Sequence, residues 1–149
     1  MVVPADCLTQ DKHPLDGLSS EEVRRAAAAT RNCKALASKS ELRFVSVTLL
    51  EPSRPALQKF NEAVASGADP AHALPPRIAE VILITPETGL AHVAHVQLAA
   101  GGQAADELLK CEQQAPGAQP CFMPDDCLLA EEIAKADPEL QVRTTASVH

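Results

Sequence analysis

The stretch RIAEVILITPETGLAHVAHVQL occupies residues 77–98 and decides the fold. Apolar side chains alternate with others along residues 77–84 and again along residues 90–98, which is the period of a β-strand. Between these two runs lie Pro86, which fixes one backbone angle of a turn, and Gly89, which tolerates a positive φ. The stretch therefore predicts an antiparallel β-hairpin.

A helix is predicted ahead of this hairpin. Ser19 and Glu22 have the spacing of a capping box, and Leu18 and Val23 have that of a hydrophobic staple. Helical spacing continues through an alanine-rich stretch and fades near residues 37–38. The residues expected on its apolar stripe are Val23, Ala27, Thr30 and Cys33 or Lys34. The basic residues expected in solvent are Arg24, Arg25 and Arg31.

Weaker patterns predict the remaining elements. Residues 42–50 alternate as a strand, with Val45, Val47 and Leu49 on one face and Phe44, Ser46, Thr48 and Leu50 on the other. A short helix is indicated by Leu57, Phe60 and Val64, and it is closed by Gly67. Residues 107–112 form a possible fourth strand with Leu109 and Cys111 on one face. Residues 115–120 read as a linker, and residues 124–138 as a last helix.

This order of elements is typical of an α+β domain in which one main helix packs on a small antiparallel sheet. We expect an N-terminal extension at residues 1–12 and one small domain at residues 13–115. Residues 116–149 are expected to hold a linker and the first helix of an incomplete second domain. That last helix has no sheet of its own to pack on.

Composition and charge exclude several classes of function. The 149 residues carry 13 Lys or Arg against 20 Asp or Glu, for a net charge of -7. An acidic surface repels phosphate, so nucleic acid and anionic membranes are not expected partners. No apolar run approaches the ~20 residues of a membrane span, and no signal-peptide pattern is seen. We therefore expect an intracellular protein.

Histidines and cysteines are the first candidates for metal or thiol chemistry. His92 and His95 are three residues apart, and on a strand this odd offset sends them to opposite faces, so they predict no shared metal site. The other histidines, which show no ligand spacing, are His13, His72 and His149. The cysteines are odd in number and irregularly spaced, at Cys7, Cys33, Cys111, Cys121 and Cys127. They favour neutral thiols, with a thiol or metal enzyme as the weaker alternative.

Acidic side chains concentrate at predicted helix starts, where a carboxylate stabilises free amides and the helix dipole. They are Asp16, Glu21, Glu22, Asp125, Asp126, Glu131 and Glu132. This role is favoured over catalysis by paired carboxylates. Gly101 and Gly102 lack the further glycines and the lysine of a phosphate-binding loop. The chain also has no Tyr. The residues thus predict no catalytic, cofactor-binding or metal-binding site of their own.

Several separated segments, taken in order, resemble the small N-terminal domains of copper-containing amine oxidases. Those resembling the first small domain are residues 13–16, 18–23, 42–52 and 77–84, with Thr88 and Gly89. Those resembling the beginning of the second are residues 116–120, 124–126, 129–131 and 135–139. The resemblance extends from His13 to about Gln141, and none of its motifs is catalytic.

The resemblance implies a cystatin-like fold and a role outside the catalytic centre. Full-length enzymes of the family are homodimers that oxidise primary amines with oxygen and water to aldehydes, ammonia and hydrogen peroxide. Their catalytic groups belong to a C-terminal domain. These groups are a copper ion held by three histidines, a topaquinone made from the tyrosine of an Asn-Tyr-Asp/Glu motif, and an aspartate base. None of these residues can be carried over to this chain.

Two functions therefore stay open on the sequence. The first is the non-catalytic N-terminal portion of a copper amine oxidase, inactive alone, packed on the catalytic domain of the same chain and located in the cytoplasm or peroxisomes. The second is a free-standing cystatin-like binding module without catalytic activity.

Overall fold

A computed structural model describes residues 13–36, 41–100, 105–121 and 123–138 of the chain. The helices are α1 (Ser20–Arg31), α2 (Arg54–Ala65) and α3 (Pro124–Ala136), and a single turn of 3-10 helix covers Pro70–Ala73. The strands are β1 (Arg43–Leu50), β2 (Arg77–Thr85), β3 (Leu90–Leu98) and β4 (Glu107–Gln113). The predicted α+β class is confirmed.

The strands form one antiparallel sheet in the order β1-β2-β3-β4. The predicted hairpin is confirmed, since β2 and β3 pair without interruption from Arg77 opposite Leu98 to Thr85 opposite Leu90. The turn is closed by the Gly89 amide, which donates to the Thr85 carbonyl over 2.9 Å. Gly89 has a φ of 66°, a conformation that glycine adopts without steric cost.

The core lies between α1 and one face of this sheet, which we call the inner face. Its fully buried side chains include Val81, Leu83 and Val96 from the sheet and Ala26 from the helix. Burying each large apolar side chain contributes roughly 1.5–3 kcal/mol, so this layer supplies much of the stability. The small Ala26 lets the helix approach the sheet closely.

Helix α1 starts as predicted and ends earlier than predicted. The Glu22 amide donates to Ser19 Oγ (3.2 Å) and the Ser19 amide donates to Glu22 Oε2 (2.7 Å), which completes the capping box. The helix stops at Arg31 because the chain then turns, with the Cys33 amide donating to the Thr30 carbonyl (3.0 Å). This turn buries Cys33 and Leu36 in the core.

The predicted apolar stripe of α1 is confirmed at Thr30 and Cys33 and differs nearer the start of the helix, where Ala26 is the fully buried residue. Ala26 and Thr30 are fully buried, whereas Val23 and Ala27 are half-buried and Lys34 is exposed. Thr30 satisfies its hydroxyl within the helix by donating to the Ala26 carbonyl over 2.9 Å. Its burial therefore leaves no polar group without a partner.

The two edge strands each carry an irregularity that alternation alone does not predict. In β1 the register shifts between Phe44 and Ser46, and Phe44 packs against the core beside Val47 instead of on the opposite face. In β4 the corresponding shift puts Leu108 with Cys111 against the core, so Leu109 is exposed and the prediction for it is wrong. Bulges of this kind are common in edge strands.

Helix α2 begins at Arg54, three residues before the predicted Leu57, because Pro55 suits the first turn of a helix. It ends before Gly67, whose φ is 69°. Phe60 is its one buried residue. The Phe60 ring meets the edge of the His13 ring with centroids 5.5 Å apart, which fixes the segment ahead of α1.

The chain divides into two compact units, Met1–Gln119 and Pro120–His149. In the second unit α3 has acidic residues in its first turn, and the Met123 amide donates to Asp126 Oδ2 over 3.1 Å. Its large apolar side chains are exposed, namely Leu128, Leu129 and Ile133. None of the helices in the described part of the chain is long and apolar enough to cross a membrane.

The capping box gives a direct test of how α1 starts. Ser19→Ala removes the acceptor for the Glu22 amide, and we expect the free energy of unfolding to fall by about 1 kcal/mol. Ser20→Ala, one residue inside the helix, is the matched control and should change it by less than about 0.5 kcal/mol. Urea unfolding followed by circular dichroism measures both values.

Candidate functional site

His92 and His95 lie on opposite faces of β3, as predicted. His95 is on the face away from α1, where its Nε2 is 3.2 Å from Glu80 Oε2 on the neighbouring strand. His92 is on the inner face and only 5% exposed, and its Nδ1 has no hydrogen-bond partner. The two rings cannot share a metal ion because the sheet separates them.

The remaining histidines are placed by local contacts. His13 Nδ1 accepts from the Leu15 amide at 3.2 Å, and His72 is exposed with Nε2 3.9 Å from Asp69 Oδ2. His149 lies outside the described residues. Across the described ranges, no three His, Cys, Asp or Glu side chains converge in a way that could hold a metal ion. Together with the lack of any Tyr in the sequence, this donor set does not fit a copper and quinone centre.

Two of the cysteines meet in the core, which sequence reasoning did not anticipate. Cys33, in the turn after α1, belongs to the buried core cluster, and Cys111, on β4, packs against that cluster. Burial, and next the contact with Cys33, raises the pKa of the Cys111 thiol to about 12. Cys121 and Cys127 are exposed, and Cys7 lies outside the described residues. The signal in the sequence was one cysteine at the end of the helix stripe and one on a strand.

Asp16 and Glu22 accept backbone amides as expected, whereas Glu131 and Glu132 lie in the second half of α3 and not at a helix start. Asp16 Oδ2 accepts from the His13 amide at 2.8 Å. Glu22, besides closing the capping box, accepts from Arg77 Nε at 2.8 Å. Arg77 also donates from Nη2 to the Asp16 and Gly17 carbonyls, over 3.0 and 3.3 Å. These bonds tie the start of β2 to the segment that precedes α1.

Arg25 is half-buried rather than solvated, which corrects the prediction for it. Its Nε donates to Asp106 Oδ2 over 2.9 Å, its Nη2 donates to the other carboxylate oxygen, and the same nitrogen donates to the Ala99 carbonyl over 3.0 Å. The Ala99 amide donates back to Asp106 over 2.9 Å. The hydrogen bond from Arg25 lowers the pKa of the Asp106 carboxyl. Arg25 is thus a structural clamp between α1 and the start of β4.

The sheet face opposite α1, which we call the outer face, is the main surface feature of the first unit. Its apolar side chains are half-buried, and they are Leu50, Ile78, Ile82, Ile84 and Val93. Glu80, His95 and Lys110 add polar groups. Among the described elements of this unit, α1 is the one helix that packs on the sheet, and it covers the inner face. Partly exposed apolar side chains interspersed with polar ones are compatible with a protein contact.

Residues 13–101, more than half of the chain, match the family model described as the copper amine oxidase N2 domain. This chain belongs to the copper amine oxidase family. The segments that resemble the first small domain lie within the matched range and those that resemble the second lie beyond it, and the predicted resemblance to the copper amine oxidase family is confirmed.

Two curated relatives extend the match over almost the whole chain. The primary amine oxidase and the copper methylamine oxidase of Arthrobacter sp. (strain P1) are each 33% identical to it over 136 residues, or 91% of this chain. The matched part is only 18% of each relative, so the chain spans about a fifth of their length.

A solved structure supports the fold. The copper-containing benzylamine oxidase from Hansenula polymorpha is similar with a TM-score of 0.70 and 19% identity, over 90% of this chain and 19% of that one. At this identity the likeness concerns the arrangement of the helices and the sheet.

The buried His92 predicts an unusual stabilising substitution. A buried nitrogen without a partner costs about 1–3 kcal/mol. We therefore expect His92→Leu, which keeps a similar volume, to raise the free energy of unfolding by about 1 kcal/mol. His95→Leu is the matched control on the other face, and it should give no gain because it loses the contact with Glu80. Thermal and urea unfolding of both variants measure the difference, and a loss of stability in His92→Leu would contradict the expectation.

Proposed function

We propose that this chain is the non-catalytic N-terminal portion of a copper amine oxidase. The observation that carries the proposal is the match of nearly the whole chain to a small part of two relatives named for amine oxidation. In the full-length enzyme, a primary amine, oxygen and water would give an aldehyde, ammonia and hydrogen peroxide. This chain alone should be inactive.

The copper and the tyrosine-derived topaquinone would be held by the catalytic domain. Support for this comes from the donor set, since the sequence has no Tyr and the described residues do not bring three metal ligands together. What these residues do is structural. They build a sheet with one face closed by α1 and clamp one end of it, where β2 and β4 begin and β3 ends, through Arg25 and Arg77.

We assign the outer face to the contact with the catalytic domain. Isoleucine side chains such as Ile78, Ile82 and Ile84 gain free energy when they leave water. They are half-buried, no helix among the described elements of the first unit packs on this face, and most of the relatives' length lies outside the matched part. The part of the full-length enzyme outside the matched segment would supply the surface that packs on the outer face. Glu80 and His95, which already pair with each other, would enter the contact as a satisfied polar group.

The domain division follows the same proposal. Residues 13–115 would form the first small domain and residues 116–149 the linker and start of the second, in which Leu129 and Ile133 would be buried. The enzyme would act as a homodimer. A cytoplasmic or peroxisomal location stays a prediction of the sequence.

A chimeric enzyme tests the proposal. The matching segment of the Arthrobacter primary amine oxidase is replaced by this chain, and hydrogen peroxide release from a primary amine is measured. We expect an active chimera, and a loss of at least about tenfold in soluble activity when Ile82→Lys puts a charge on the outer face. Ala28→Lys, on the exposed side of α1, is the control and should retain activity.

The isolated chain separates folding from docking. Since Ile82 is not part of the core, the Ile82→Lys chain alone should keep the circular dichroism of the parent chain. A chimera that carries Ile82→Lys and is as active as its parent would contradict the assignment of the outer face.

A further inference from the structure

We propose that Cys33 and Cys111 are a latent disulfide, which a low-molecular-weight disulfide such as oxidised glutathione closes in the folded chain. The inference rests on the packing of this chain and is independent of the proposed amine oxidase function. It differs from the thiol-enzyme alternative, because here the thiols are modified and catalyse nothing.

The fold brings the two residues together from distant parts of the chain. Cys33 lies in the turn after α1 and is 7% exposed, and it belongs to the same core cluster as Ala94 and Val96. Cys111 pairs with Ala94 across the β3–β4 ladder and packs against that cluster from β4. Both side chains therefore lie at the same core cluster between α1 and the sheet, and Cys33 is one cause of the raised pKa of Cys111.

Their unequal exposure assigns the roles in the exchange. Cys111 is on an edge strand and partly exposed, so it is the thiol that glutathione disulfide can reach. Its thiolate attacks one sulfur of the oxidant and releases one glutathione thiolate, leaving a mixed disulfide on Cys111. The thiolate of Cys33, from the same core cluster, then attacks the Cys111 sulfur and releases the second glutathione. Two protein thiols are oxidised and one oxidant molecule is reduced to two glutathione molecules.

The buried surroundings of Cys111 make the disulfide slow to form. The thiolate is the attacking species, and the raised pKa of Cys111 keeps it protonated at neutral pH. The pair is therefore a reduced packing element under ordinary conditions. Once formed, the bond would join the end of α1 to the edge strand β4 and restrict the unfolded chain over a long loop.

The test uses the full 149-residue chain with Cys7→Ser, Cys121→Ser and Cys127→Ser, so that Cys33 and Cys111 are its two thiols. The folded variant is incubated with oxidised glutathione at about pH 9, where more of the thiol is ionised. We expect both free thiols to disappear together, peptide mapping without reductant to find Cys33 joined to Cys111, and the Tm to rise by roughly 5–15 °C.

Two controls show whether the fold directs the pairing. Adding Cys33→Ala to the same variant should stop the reaction at a glutathione adduct on Cys111. The parent variant oxidised in urea should form the intramolecular bond more slowly, because the two thiols are far apart in the unfolded chain. A persistent glutathione adduct in the folded two-thiol variant, disulfide-linked dimers, or no loss of thiols would overturn the proposal.

Discussion

Replacing Leu83 by alanine should lower the free energy of unfolding of the first unit by about 3–4 kcal/mol. Leu83 is fully buried on the inner face between α1 and the sheet, and truncation both loses apolar burial and leaves a cavity. Thermal unfolding should show a fall in Tm of more than about 10 °C. Leu83 is, with Leu36, one of the two largest fully buried side chains in the described part of the chain.

The neighbouring Ile82 provides the matched control, because it is adjacent on β2 and points to the outer face. Ile82→Ala should cost the isolated chain less than about 1.5 kcal/mol, since the side chain is only half-buried by its neighbours in the sheet. Urea unfolding of the two variants measures the contrast. Equal costs at Leu83 and Ile82 would show that the outer face is covered in the isolated chain and would contradict the surface described above.

The second large effect is expected at the clamp between Arg25 and Asp106. Asp106→Asn removes the charge that binds the guanidinium and weakens the bond from the Ala99 amide, in a site where both side chains are at most a quarter exposed. Charge-assisted hydrogen bonds of this kind contribute about 1.5–3 kcal/mol each, so we expect a loss of about 2–3 kcal/mol near neutral pH. Glu107→Gln, the exposed neighbour, should change stability by less than about 0.5 kcal/mol.

The pH dependence of this loss has a definite sign. Because folding lowers the pKa of Asp106, its stabilising contribution is fully present above the carboxyl's ordinary pKa of about 4. It is lost as the pH falls from there through the lowered pKa of the folded state. The stability difference between the parent chain and Asp106→Asn should therefore be constant from about pH 5 to 7 and shrink in acid. A difference that grows in acid would contradict the clamp.

The sequence was enough to predict the elements that are determined by residues close together in the chain. The hairpin follows from alternation around Pro86 and Gly89, and the start of α1 follows from the Ser19 and Glu22 spacing. Both are determined by residues within a few positions of each other, so neither depends on tertiary packing. The separation of His92 from His95 follows from strand geometry in the same way.

Features that depend on strand register or on contacts between distant residues could not be predicted from the sequence. The bulge between Phe44 and Ser46 turns Phe44 toward the core while Val47 keeps its predicted face, and an edge strand tolerates such an extra residue. Arg25 and Asp106 meet only once α1 is laid on the sheet, as do Cys33 and Cys111. No spacing rule links residues that are so far apart in the chain.

The outer face shows the same limit at the level of function. Its isoleucines satisfy the strand pattern as well as the core residues do, so alternation alone does not say which face of the sheet is covered. The position of α1 on the inner face answers that question. The family match then suggests why an apolar face would be kept, since the relatives are much longer than the matched part.

The most direct test of the central claim is the sequence of the messenger RNA beyond the His149 codon. The account predicts an open reading frame that continues through the second small domain and encodes an Asn-Tyr-Asp/Glu motif and a His-x-His pair. A stop codon at that position, or a frame without the tyrosine and the histidines, would contradict the assignment as part of an amine oxidase. The chain would then be studied as a free-standing binding module that uses the outer face.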